Sequence, residues 1–73
     1  MSETIAIRGE TIRLGQLLKL AGIAASGAEA RQLLDTGTVL VNGDAETRRG
    51  RQLHPGDRVR VGAEELLVKG SDE

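Results

Sequence analysis

Between Ser26 and Gly43 the chain carries a helix start, a helix stop and a hairpin turn in immediate succession, and no other stretch limits the possible folds as much. Ser26 and Glu29 form a Ser-x-x-Glu capping box, in which the hydroxyl accepts from the third helical amide and the carboxylate reaches back towards the cap. From there Ala30, Leu33 and Leu34 share one face, leaving Glu29, Arg31, Gln32 and Asp35 to solvent, and Gly37 is placed to end the helix in a left-handed conformation. Val39-Leu40-Val41 then reads as a strand, and Asn42-Gly43 turns it back because both residues tolerate positive φ. The returning strand leads into Thr47-Arg48-Arg49-Gly50-Arg51, where three arginines surround a glycine that lets backbone approach a partner closely.

The flanking segments complete the pattern. Thr4 to Ile7 alternates polar and apolar residues as a strand does, ahead of a Gly9-Glu10 turn. Leu14, Leu17, Leu18 and Ala21 define a first amphipathic helix, with Thr11 as N-cap and Gly22 as stop. Ile23-Ala24-Ala25 links the helices and sets Ile23 against both apolar faces. Leu53 to Asp57 is a Pro-Gly turn that delivers Arg58-Val59-Arg60-Val61, valines on one face and arginines on the other. Gly62-Ala63 turns into a last strand over Glu65 to Lys69. The expected fold class is α+β, two adjacent amphipathic helices packed on a small, mainly antiparallel sheet of short strands. Residues 1–73 form one domain, with an ordered core over 4–69 and a frayed tail over 70–73.

Composition narrows what such a fold can do. A chain of 73 residues has one small core and no room for a deep catalytic cavity. It contains no Phe, Tyr, Trp or Cys, so Leu, Ile, Val and Ala must build the core without disulfides or thiolate metal sites. The amino-terminal Met1 to Thr4 has no leader character and no apolar run approaches a membrane span, so a cytoplasmic protein is expected. Setting aside Asp72 and Glu73 takes the formal charge from −1 to +1. From Arg48 to Arg60 the acid Asp57 faces Arg48, Arg49, Arg51, Arg58 and Arg60, so positive charge is concentrated locally.

Leu14 to Gly22, Ser26 to Gly37, Val39-Leu40-Val41-Asn42-Gly43 and Pro55-Gly56-Asp57-Arg58-Val59 together resemble the RNA-binding domain of the ribosomal protein S-four type, also called the alpha-L motif. Gly43 to Arg51, with its Glu46-Thr47-Arg48-Arg49-Gly50-Arg51 run, further resembles the small stand-alone bacterial members of that family. The resemblance covers nearly the whole chain. It implies binding to structured RNA, ribosomal or transfer RNA, through the two helices and the loop beside them. It also implies an RNA surface of Lys19, Ser26, Gly27, Arg31, Asn42, Arg48, Arg49 and Arg51. The basic residue that many members carry after the capping serine is Gly27 here, which shifts phosphate contact onto Arg31 and the Arg48 to Arg51 loop.

The residues themselves favour the same mode. A chain without aromatics has no stacking platform for unpaired bases, which leaves phosphate and groove-shape contact with folded RNA. Arginine suits that task because its planar fork holds a phosphate bidentately, and the amides opening the Ser26 helix attract anions. The capping box and the Asn42-Gly43 turn are structural first and reach RNA through exposed backbone. Lys19 and Arg31 stand on exposed helix faces, where solvation accounts for them as well as RNA does. Arg58 and Arg60 read first as a solvated strand face paired with Glu64 and Glu65. Three arginines crowded around Gly50 repel one another unless an anion is expected, so Arg48, Arg49 and Arg51 carry the main functional expectation. His54 has no second ligand type near it in sequence, and neither a nucleophile with a base nor converging carboxylates are present, so no enzyme, metal, cofactor or small-molecule substrate is expected. The alternative is a protein-interaction module pairing through an exposed strand edge at Thr4 to Ile7 or Glu65 to Lys69. A monomer is expected in either case.

Overall fold

The computed structural model describes residues 2–70, so the expected frayed tail lies, from residue 71 on, outside them. The elements follow the order β1 (Ser2–Ala6), β2 (Ile12–Arg13), α1 (Leu14–Leu20), α2 (Gly27–Asp35), β3 (Val39–Val41), β4 (Asp44–Ala45), β5 (Gln52–Leu53), β6 (Arg58–Val61) and β7 (Glu64–Lys69). Among the described residues, five strands form one sheet in the order β1-β7-β6-β3-β4, and β2 pairs with β5 in a separate antiparallel ladder. β1 runs parallel to β7, and the remaining pairs are antiparallel. The fold is the expected α+β arrangement.

Local chemistry accounts for most of these elements. The Ser26 Oγ accepts the Glu29 amide at 3.2 Å. Glu29 Oε1 in turn accepts the Ala25 amide at 3.5 Å, one residue farther back than a capping box usually reaches. Gly37 ends α2 at φ +77°, and the β3–β4 turn places Asn42 at φ +52° and Gly43 at φ +90°, as a type I′ hairpin requires. Alternation then sorts the strands: Val39, Val41, Val59, Leu66 and Val68 are buried, with Val41, Val59 and Leu66 abreast in the register. Leu14, Leu17 and Leu18 of α1, Ala30 and Leu34 of α2, Ile7, Ala24 and Leu53 fill the space above them, and Ile23 and Leu33 pack at the margin. Each fully buried Leu or Val contributes on the order of 1.5–3 kcal/mol.

Two expectations are corrected. Thr11 does not cap α1. Ile12 and Arg13 are drawn into extended pairing with Leu53 and Gln52, the helix begins at Leu14, and its cap residue Arg13 makes no side-chain cap. Backbone carbonyls do that work instead, because the Leu14 amide donates to the Arg51 carbonyl at 2.8 Å and the Gly15 amide to the Arg49 carbonyl at 2.9 Å. Nor is Glu65 to Lys69 an open edge: β7 lies between β1 and β6, leaving β1 as the edge on that side. Both differences arise from pairings between segments far apart in sequence.

Candidate nucleic-acid interface

The basic loop is organised by a carboxylate. Glu46 is 7% exposed and is the buried charged residue among those described. Its Oε2 accepts from the amides of Thr47 (3.1 Å) and Arg48 (3.0 Å) and from Arg48 Nε (3.1 Å), while Oε1 accepts from Arg48 Nη2 (3.1 Å) and Arg51 Nη1 (2.8 Å). The Arg48 guanidinium above all, then that of Arg51 and the Arg48 amide, hold the Glu46 carboxyl far below the usual carboxylate range against the opposing effect of burial. Arg48 is correspondingly raised by Glu46. An anion for the crowded arginines is therefore supplied from within the chain: the single Glu46 carboxylate bridges Arg48 and Arg51 and offsets one of their two charges. Between them the backbone turns, the Arg51 amide donating to the Arg48 carbonyl, and places Arg49 and Gly50 at the apex.

Arg49 leaves this turn in a different direction. Its stem crosses Gly15, where a Cβ would overlap Arg49 Cγ, and its Nη1 lies 3.6 Å from the position of a Cβ on Gly27. Arg13, Gly15, Gln16, Lys19, Gly27, Arg49 and Gly50 line a groove of about 350 Å³ between the loop, one side of α1 and the start of α2. No carboxylate is among the lining residues. Arg13, Lys19 and Arg49 make no ion pair among the described residues, so the groove concentrates uncompensated positive charge beside exposed backbone.

The expected surface residues thus divide. Lys19, Gly27 and Arg49 meet in the groove, and Ser26 sits beside it with its hydroxyl occupied by the Glu29 amide. Arg31 is exposed one helical turn beyond Gly27 on the same face but does not line the groove. Arg48 and Arg51 are tied to Glu46. Asn42 lines a different groove, of about 400 Å³, with Leu40, Gly43, Arg58, Arg60 and Glu65 on the other face of the sheet. Its side chain is spent on structure: Nδ2 donates to Asp57 Oδ1 at 3.1 Å, and Oδ1 accepts the Arg58 amide at 2.9 Å. Burial raises the Asp57 carboxyl, but the His54 amide and the Asn42 side chain outweigh it and leave the group below its ordinary value. Arg60 stands opposite Glu65 in the register yet turns its Nε to the Gly62 carbonyl at 3.3 Å.

Sequence reasoning passed over Arg13, Glu46 and Gly15. The readable signal was Gly15 itself, a residue that costs roughly 1 kcal/mol inside a helix relative to Ala and therefore flags a close approach. Among the described residues no helix is long and apolar enough to cross a membrane, and no group of His, Cys, Asp and Glu could hold a metal ion.

The sequence pattern of the S4 domain matches residues 5–69, from β1 to the end of β7, and so takes in both helices, the arginine turn and every groove residue. The chain belongs to the S4 domain family. This S4 domain is also 46% identical over 61 residues to a Bacillus subtilis (strain 168) protein named "Probable ribosome maturation protein RlbA", covering 84% of this chain and 86% of that one.

Proposed function

We propose that this S4 domain binds structured RNA in ribosome-related work, ribosomal RNA ahead of transfer RNA, by phosphate contacts in the groove of Arg13, Lys19 and Arg49. The observation that carries the reading is the lining itself: three cations without ion-pair partners among the described residues, the glycines Gly27 and Gly50 that leave backbone accessible, and no carboxylate. Such a surface suits a phosphodiester backbone, since arginine forks and a lysine point charge reach phosphate oxygens while glycine admits the strand closely. The opening amides of α2 at Gly27 add a favourable field for an anion. Nothing in the groove offers a flat ring for a base, so shape and charge are read rather than sequence. The name of the Bacillus subtilis relative supports a place in ribosome maturation, and hence a ribosomal RNA target. On this reading the chain acts as a monomer in the cytoplasm, without cofactor or chemical turnover.

Competition binding at fixed salt tests the recognition mode. An RNA stem-loop should displace a labelled stem-loop far better than an unstructured strand of equal length, and equal or tighter binding of the single strand would remove the shape-reading account. Pairing through the β1 edge is the competing reading, and it would show almost no response to salt.

A further inference from the structure

Gly15 is buried in the first turn of α1 with an ordinary helical backbone, so its conformation does not call for glycine. Glycine is also among the poorest helix formers. What calls for it is Arg49. A Cβ at this position would overlap Arg49 Cγ, lie 3.0 Å from Cδ and come within 3.5 Å of the Arg49 carbonyl oxygen, which already accepts the Gly15 amide. The nearest atom to a Cβ on Gly27 is again from Arg49, its Nη1. The arginine stem therefore runs over α1 and carries its guanidinium to the start of α2. On either side of it, Arg48 and Arg51 are fastened to Glu46, which holds the turn that launches Arg49.

We propose that Gly15 is a positioning residue of the RNA site: its bare Cα is the seat in which the Arg49 stem lies, so that the guanidinium is aimed into the groove before RNA arrives. The proposal rests on the RNA reading above. An exposed arginine loses much of its rotamer freedom when it fixes a phosphate, and a seat takes that loss in advance, leaving more of the contact energy for binding. Filling the seat should therefore act like removing the arginine, although no charge is lost.

The experiment is a double-mutant cycle of Gly15→Ala and Arg49→Gln, read by anisotropy with a fluorescein-labelled RNA stem-loop over a range of salt. Arg49→Gln should weaken binding by about tenfold, as expected for one hydrogen-bonded charge contact. Gly15→Ala should match it within about a factor of two, and the double variant should be no weaker than either alone. Each single variant should also lower the salt slope by about 0.7–0.9. Gln32→Ala serves as control, because this exposed α2 residue lies outside the groove, and it should bind as the parent does.

If Arg49→Gln weakens binding and Gly15→Ala does not, the seat is overturned while the RNA reading stands. If Arg49→Gln has no effect, the groove assignment falls and the seat with it. A weakened Gly15→Ala that keeps the parental slope shows strain alone and overturns the seat. Should Gly15→Ala fail to fold, Arg49→Ala placed in the same chain must restore folding by vacating the overlap, and absence of that rescue refutes the proposal.

Discussion

Replacing Glu46 by Gln keeps the volume of the side chain and removes its charge, and the consequence can be worked from the five hydrogen bonds the carboxylate accepts. A carboxamide can keep its oxygen towards the Thr47 and Arg48 amides, but its NH2 then faces Arg48 Nη2 and Arg51 Nη1, donor against donor. Arg48 is 73% exposed and recovers most of its loss from water, whereas Arg51 is 34% exposed and recovers less. With that discount the variant should be destabilised by about 2 kcal/mol at neutral pH. Linkage fixes the sign of the pH dependence. The folded carboxyl is depressed, so its stabilisation is fully present above the unfolded value of about 4.3 and is lost as pH falls towards the folded value. Urea denaturation across a pH series should show the parent losing its advantage over Glu46→Gln by about 1.4 kcal/mol per pH unit below pH ~4. A variant as stable as the parent at neutral pH, or a gap that widens in acid, would refute the view that Glu46 organises the loop.

Leu17→Ala should cost roughly 2–5 kcal/mol, because the side chain is fully buried between the helices and the sheet, and a loss below about 0.5 kcal/mol by denaturation would mean the α1 face is wrongly assigned. Asn42→Ala should cost about 1–3 kcal/mol by denaturation, since it loses both bonds to the Asp57-Arg58 segment and places Ala at positive φ, yet RNA affinity at saturating fold should hardly change because Asn42 lies outside the Arg49 groove.

What the sequence disclosed follows the range of the interactions involved. The cap at Ser26, the stop at Gly37 and the turn at Asn42-Gly43 depend on neighbours within a few residues, and the alternation of Val59 and Val61 with Arg58 and Arg60 announces a strand with one buried face. Ile12-Arg13 carries no such signal: two residues show no period, and their extended state is imposed by Gln52 and Leu53, far along the chain. The parallel pairing of β1 with β7 is equally nonlocal, which is why β7 looked like an edge. At the groove, Lys19, Gly27 and Arg49 were legible as members of a basic surface, but the partition of the arginines was not. Arg48, Arg49 and Arg51 look alike in sequence. Only the burial of Glu46 and the missing side chain at Gly15, over which the Arg49 stem lies, separate two arginines that brace the loop from one that reaches the helices.

On the proposed reading, RNA phosphates are held in the groove of Arg13, Lys19 and Arg49. Its most direct test is the salt dependence of stem-loop binding by the parent and by the variant in which all three are replaced by Gln. Exposed charges contribute within about half a kcal/mol to stability, so the variant should remain folded. Each lost phosphate contact removes about 0.7–0.9 from the slope of log affinity against log salt, so the account predicts a slope shallower by roughly 2–3. A triple variant that keeps the parental slope, while Arg58→Gln with Arg60→Gln abolishes binding, would place the RNA on the other face of the sheet and contradict it.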